Sequence, residues 1–256
     1  MSGKVYLVGA GPGDPELLTR KAYRLIRTAD VVLHDELVSP EILALISRTA
    51  HVVNVGKRCG GKHVSQERTN SLLVEYASDG AMVVRLKGGD PLIFGRAGEE
   101  MDALRVVGIP FEVVPGITAA LGAAAAAQVA LTDRRSASRV TFLTGHQCAG
   151  RRAPGEGTIP SDHETLVLYM PGRDCAAVAA ELTARGWDET TPCLVVSRAT
   201  QPDQKILRTT LADLPHASGI PAPAILIVGA VTAQADSTEA ATELMDRWAG
   251  QFAATV

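Results

Sequence analysis

Short apolar runs alternate with segments of helical period along the first half of the chain, and that alternation restricts the fold more than any other feature. The runs are Val5 to Val8, Val31 to Leu33, Val52 to Val55, Met82 to Leu86 and Phe111 to Val114. Between the first two, Leu17, Leu18, Ala22, Leu25, Ile26 and Ala29 recur at three- and four-residue steps, so a helix there has one apolar face to lay on a sheet. Further helices are expected from about Gln66 to Ser78 and from about Ala97 to Val107. This is the pattern of βαβ units, and the first half is read as α/β.

The pattern breaks at Val114-Pro115-Gly116, where Ile117 to Val129 reads as an Ala-rich helix whose small side chains permit close packing. We place a domain junction there, with an N-terminal α/β domain over 1–115 and a C-terminal mixed α/β domain over 116–256. Strand-like runs resume at Val140 to Leu143, Leu166 to Tyr169, Leu194 to Ser197, Ile206 to Leu211 and Ala224 to Val228, with a helix from about Ala176 to Arg185. The last three runs lack intervening helices, so the second sheet is expected to be mixed. Gly145 to Asp162 reads as a mobile loop, and Ala233 to Ala249 as a terminal helix.

With 46% hydrophobic residues, 24 glycines without a triplet period and only 4 cysteines in no CxxC spacing, the chain is no disordered, collagenous or disulfide-stapled protein. Its formal charge of −3 argues against a general nucleic-acid coat, and clustered histidines are absent, so no metal site is expected. The N-terminus lacks a signal-peptide pattern, and the longest apolar run, Ala119 to Leu131, is too short to span a bilayer. A cytoplasmic protein without a membrane partner is the expectation.

Val8-Gly9-Ala10-Gly11-Pro12-Gly13-Asp14-Pro15 follows the first strand and precedes the first helix, where glycines let backbone amides approach a ligand closely. A dinucleotide site would place a third glycine where Asp14 stands, and Pro12 removes an amide donor, which counts against a nicotinamide oxidoreductase. The plainer alternative is a tight turn capped by Asp14. A second glycine turn, Lys87-Gly88-Gly89-Asp90-Pro91-Leu92-Ile93-Phe94-Gly95-Arg96, follows another strand. Open α/β sheets bind ligands beyond the carboxyl ends of their strands, so both turns are placed to line one crevice. Asp90 is suited to ribose hydroxyls or an amino group, and equally to a helix N-cap.

Together with Pro115-Gly116-Ile117-Thr118-Ala119, Thr144-Gly145-His146 and Tyr169-Met170, these motifs resemble the tetrapyrrole methylases, which use S-adenosylmethionine. His34-Asp35-Glu36-Leu37-Val38-Ser39, Val55-Gly56-Lys57-Arg58 and Arg198-Ala199-Thr200-Gln201-Pro202 are similar to the uroporphyrinogen-III C-methyltransferases within that family. The resemblance runs from about Lys4 to Val231. It departs at Asp133, His34 and Pro171, where the family often has histidine, tyrosine and glycine.

The resemblance implies a two-domain tetrapyrrole methylase fold of α/β class with its active site in the interdomain cleft, and a homodimer. It implies S-adenosylmethionine contacts at Pro12, Gly88, Gly89, Asp90, Ile93, Thr118, Ala119, Met170, Ala199 and Ala224. Asp35 is implied as proton acceptor and Lys57 as proton donor. A helix cap or turn residue stays open for Asp35, and a cation facing a substrate carboxylate for Lys57. The implied substrate, uroporphyrinogen III, is an octacarboxylate macrocycle, for which Lys57, Arg58, Lys62, His63, Lys87, Arg96, Arg134, Arg135 and Arg139 are candidate cations. Arg96 and Arg134 are preferred as bidentate clamps, with Arg58 and His146 as further substrate contacts. The implied reaction adds two methyl groups on the way to siroheme or cobalamin. Alternatives are a methylase of a later corrin precursor and a tetrapyrrole carrier without enzymatic activity. At this length the dehydrogenase and chelatase domain fused to some relatives is expected to be absent.

Overall fold

A computed structural model of the chain describes residues 3–56, 64–145, 163–172, 174–217 and 220–235. Strands β1 (Lys4–Gly9), β2 (Val31–His34), β3 (His51–Asn54), β4 (Met82–Lys87) and β5 (Phe111–Val114) form one five-stranded sheet in the order β3-β2-β4-β1-β5. Every pairing in it is parallel, which requires crossover connections. Helix α1 (Arg20–Thr28) links β1 to β2, α2 (Pro40–Leu43) leads toward β3, and α3 (Gln66–Ser78) and α4 (Ala97–Val106) precede β4 and β5. Thr19, Ser39 and Ser65 cap α1, α2 and α3 by accepting hydrogen bonds from first-turn amides.

Both faces of this sheet are covered. Val8, Val32, Val84, Leu86 and Val114 pack with α1 and with Ile42 of α2, while Val5, Leu7, Val31, Leu33 and Val83 pack with Leu72, Leu73, Ala97 and Leu104 of α3 and α4. Burial on both sides is why β1 and β2 read as unbroken apolar runs, while β4 carries the buried Arg85 and β5 the half-buried Glu112.

Strands β6 (Arg139–Thr144), β7 (Glu164–Tyr169), β8 (Pro192–Ser197), β9 (Lys205–Thr210) and β10 (Ala224–Val228) form a second sheet in the order β6-β7-β10-β8-β9. It is mixed, as expected: β6 runs parallel to β7 and the other pairings are antiparallel. Helix α5 (Ala119–Ala126) lays Ala120, Ala123 and Ala124 on the face carrying Val167, Tyr169, Leu194, Val196 and Ile225. Helix α6 (Cys175–Ala184) covers the opposite face through Ala179 and Leu182.

Two helices are shorter than their periodicity suggests. Asp14 and Pro15 start a separate 3-10 turn, Pro15–Leu17, so α1 begins only after the Thr19 cap. Gln128 takes a left-handed backbone at φ 56°, which closes α5 before Val129. The expected loop over 145–162 lies outside the described residues except for Gly145, and the terminal helix expected over Ala233 to Ala249 lies outside them beyond residue 235, its first residues ending the 3-10 segment Ala230–Ala235. No helix among the described residues is long and apolar enough to cross a membrane.

Leu104 is fully buried between α4 and the first sheet, whereas Val106, two residues on, is 86% exposed. Leu104→Ala is expected to cost about 2–5 kcal/mol in urea unfolding. Val106→Lys is expected to stay within about 0.5 kcal/mol of the parent.

Candidate functional site

In the first sheet the connection leaving β1 runs toward β2 and that leaving β4 runs the other way toward β5, so the neighbouring pair β4 and β1 forms the switch point. Ligand crevices of open α/β sheets lie beyond the carboxyl ends of such strands. Both glycine turns are there, and the backbone fastens them together. Gly11 N–H donates to the Gly89 carbonyl at 3.1 Å, Gly89 N–H to the Gly11 carbonyl at 2.8 Å, and Ala10 N–H to the Lys87 carbonyl at 2.8 Å. Gly116 closes in from the third side. A Cβ on Gly9 would stand 2.5 Å from Gly116 N, and one on Gly116 would collide with the Gly89 carbonyl. Here a side chain is excluded by backbone rather than by a movable neighbour.

Asp90 ties this junction together. Its Oδ1 accepts from Leu92 N–H at 2.8 Å and its Oδ2 from Gly116 N–H at 3.0 Å. Each oxygen keeps further acceptor capacity for a ligand hydroxyl or amino group. Pro12 packs against α5, where a methyl on Gly122 would lie 2.6 Å from Pro12 Cβ. Asp14 takes up its capping role by accepting from Glu16 N–H at 2.9 Å, while its own N–H donates to Thr200 Oγ1 at 3.1 Å.

Tyr169, at the end of β7, connects α5 to the second sheet. Its hydroxyl lies 2.6 Å from Thr118 Oγ1 and accepts from Ala120 N–H at 3.3 Å. Burial pushes the phenol above its ordinary range, so it stays a neutral hydrogen-bonding group. Phe94 and Phe142 pack on its ring at centroid distances of 5.0 and 5.6 Å. Because Thr118 Oγ1 is engaged by Tyr169, Thr118 does not cap its own helix, and the Thr118 and Ala119 amides have no partner among the described residues. Gly89 faces that end: its Cβ position lies 3.6 Å from Ala119 N.

Most of the sequence-derived cofactor residues converge on this junction. Gly88 and Gly89 form its floor, Ile93 and Ala119 pack on the α5 cluster that also buries Ala199, and Met170 follows Tyr169 with a left-handed φ of 50°. Leu37, Leu92, Phe94 and Met170 present exposed apolar side chains on loops around it. Ala224 departs from the expectation. Its side chain packs in the cluster on the α6 face of the second sheet, and Ile225 is the residue facing Tyr169 and Ala199, because strand neighbours point to opposite faces.

Asp35 follows β2 at the same edge, and Arg85 of β4 forms an ion pair with it. Arg85 is itself buried, its Nε donating to Glu100 Oε1 at 2.9 Å, and Lys87 Nζ reaches that same oxygen at 3.0 Å. Burial pulls the Arg85 pKa down, but Asp35 and then Glu100 outweigh it and hold the guanidinium above its ordinary value. Burial, followed by the charge of Arg85, pushes Lys87 below its ordinary range. Lys87 is therefore a buried partner of Glu100 and not a surface cation for a substrate carboxylate. No motif reading found Glu100, although its position between Ala97 and Leu104, three and four residues away, marks it as an acid on an apolar helix face.

Arg96 is exposed, and its fork already holds Glu99 through two 2.7 Å hydrogen bonds. A clamp there would exchange one carboxylate for another. Arg135 is likewise forked onto Asp133, and Arg134 is exposed with no ion pair among the described residues. Lys57, Arg58 and His146 lie outside the described residues.

A family model described as Tetrapyrrole (Corrin/Porphyrin) Methylases matches residues 4–215. Siroheme synthase 1 of Aeromonas salmonicida is 49% identical over 235 residues, which is 91% of this chain and 50% of that protein. The chain thus spans about half the length of the curated relatives it matches. Among solved structures, a uroporphyrin-III C-methyltransferase of Thermus thermophilus superposes with TM-score 0.77 at 42% identity, covering 91% of this chain and 95% of that one. Another structure of the Thermus protein, complexed with S-adenyl homocysteine, gives TM-score 0.79 at 38% identity over 92% and 96% of the two chains.

Tyr169→Phe keeps the ring contacts and removes only the hydroxyl that Thr118 and Ala120 use. It is expected to cost about 1–3 kcal/mol in denaturant unfolding, the range for leaving buried polar groups without a partner.

Proposed function

Because this chain belongs to the tetrapyrrole (corrin/porphyrin) methylases and has their fold, we propose that it transfers methyl groups from S-adenosylmethionine to two pyrrole carbons of uroporphyrinogen III, giving precorrin-2 by way of precorrin-1. The observation that carries this reading is the backbone-fastened pair of glycine turns at the switch point, with Asp90 beside it and the Thr118 and Ala119 amides without a partner among the described residues. Siroheme synthesis follows from the named relatives, with a cobalamin-type product as the other destination. A cytoplasmic homodimer, with domains divided at 115/116, belongs to the same reading.

The residues present fit the methyl donor. A Cβ at Gly89 would fill the space before Ala119 N, so the glycine leaves room for a ligand between the second turn and α5. The Thr118 and Ala119 amides supply donors for a carboxylate or a ring nitrogen, Asp90 supplies acceptors for hydroxyls, and Met170, Ile93 and Ala199 supply apolar walls. Pro12, Gly88, Thr118 and Ala119 complete the assigned contacts, with Ala224 offering its backbone alone.

When bound, S-adenosylmethionine supplies an electrophilic methyl on a sulfonium. The chain's task is to hold a nucleophilic pyrrole carbon in line with it and to take up a proton that the ring system, not the newly quaternary carbon, then loses. As the new carbon–carbon bond forms, the ring system becomes cationic. Asp35 is assigned to accept a proton from a ring N–H or a bridging C–H, whose bond pair then neutralises the cationic ring system. Lys57 is assigned as proton donor, and Arg58, Arg96, Arg134 and His146 to the substrate carboxylates. Positioning supplies up to about 7–11 kcal/mol, against a factor of about 10²–10⁴ from acid–base help. The glycine junction therefore matters more to rate than the carboxylate.

Anaerobic incubation of the protein with uroporphyrinogen III and S-adenosylmethionine is expected to give a product heavier by two methyl groups. A product mass equal to that of the substrate overturns the assignment. Asp90→Ala, which removes both turn-holding hydrogen bonds, is expected to abolish S-adenosylmethionine binding by calorimetry. Asp35→Asn is expected to bind it with unchanged affinity while turnover falls by about 10²–10⁴.

A further inference from the structure

Glu100 is fully buried, and its Oε1 receives Arg85 Nε, Lys87 Nζ and, at 3.4 Å, Gln66 Nε2. Its Oε2 has no partner among the described residues. Arg85 and Lys87 occupy alternate positions of β4 on the face where Val83 is apolar, beneath α3 and α4. A buried charge cluster is a poor way to gain stability, since apolar residues of similar volume commonly do as well or better. Its geometry instead leads outward. Arg85 Nε is held by Glu100, and Nη1 by the carbonyls of Leu86 at 3.2 Å and Leu33 at 3.4 Å, which leaves Nη2 directed at Asp35. Within the cluster Asp35 alone is appreciably exposed, with 28% of its side chain accessible against 4% or less for Arg85, Lys87 and Glu100.

We propose that Glu100 and Lys87 are positioning residues for methyl transfer, which fix, through Arg85, where the Asp35 carboxylate points and how strongly it holds a proton. This inference rests on the reading of Asp35 as proton acceptor. With both carboxylates ionised and both bases protonated, the cluster is neutral. Removing the charge of Glu100 leaves an excess positive charge behind Asp35, which weakens it as a base. Removing the charge of Lys87 leaves an excess negative charge, which strengthens its hold on a proton. Low polarizability around the cluster carries either change to Asp35 with little screening. Among the described residues, the other charged or titratable groups near the cluster are Glu99, which interacts with Lys87, and His34 and Glu36, which flank Asp35 in the chain. His34 Nδ1 donates to the Asp35 carbonyl at 2.9 Å, and Glu36 accepts from Asn54. All three are unchanged in the variants below.

The test is the pH dependence of kcat for anaerobic methylation of uroporphyrinogen III by the full chain, with S-adenosylmethionine affinity measured alongside. In Glu100→Gln the acid limb is expected to move about one pH unit lower, and in Lys87→Met about one unit higher. In the double variant it is expected to return to the wild-type position, with cofactor affinity unchanged throughout. A generally loosened fold would not move the limb in opposite directions and then restore it. Acid limbs that stay fixed, or that move the same way in both single variants, overturn the inference. Should Glu100→Gln fail to fold, Lys87→Met and the double variant carry the same comparison. Asp35→Asn separates the two levels: if it keeps the acid limb and full turnover, the Asp35 reading fails and takes this inference with it. If Asp35→Asn removes the limb while the cluster variants leave it fixed, the inference alone fails. A wild type that transfers no methyl group overturns both.

Discussion

Two main-chain hydrogen bonds between Gly11 and Gly89 hold together the ends of strands that are adjacent in space and far apart in sequence. A Cβ on Gly9 or on Gly116 would run into backbone of the neighbouring segments, and Gly89 between them takes a left-handed φ of 70° that favours glycine. The rest of the candidate site is arranged around this contact. Asp90 anchors the third segment, α5 starts immediately beyond it, and Tyr169 attaches α5 to the second sheet. A side chain at Gly9 or Gly116 would force apart the backbone segments that meet here.

Several non-glycine residues around this junction adopt left-handed backbone conformations: Phe94 and Arg96 in the second turn, Met170 after β7, and Arg198 and Thr200 after β8. Such conformations cost of order 1–3 kcal/mol each and persist where surrounding contacts dictate them. Here those contacts are identifiable. The Phe94 ring is held by Tyr169, the Thr200 hydroxyl by Asp14 N–H, and the Thr200 amide by Gln204 at 2.7 Å. The strain thus lies on the loops that bound the crevice, while the strands behind them are regular.

Much of this was legible in the sequence, for reasons that differ from element to element. The central strands β1, β2 and β4 are buried on both faces and announce themselves as largely apolar runs; α3 shows its observed bounds in the sequence because its cap and its apolar face agree. The glycine turns were legible because glycine records a steric requirement directly. Charge partnerships were not. Lys87 reads as a turn residue, and only the alternation of β4 places it under α4, opposite an acid whose own helix face looked merely interrupted. Ala224 was assigned by motif position, but the face it occupies depends on the pairing register of β10, which motif position does not specify.

The methyl groups of α5 set the distance between the two halves of the molecule. Ala120, Ala123 and Ala124 lie against the second sheet, and Gly122 lies against Pro12 of the first turn. The helix thus works as a thin shim, with almost nothing beyond its backbone on either side. Such a spacer has few rotamers to adjust, so the crevice width is a property of main-chain geometry and varies little with side-chain motion. Relatives that handle macrocycles of different girth would be expected to change the thickness of this shim before they change the turns it separates.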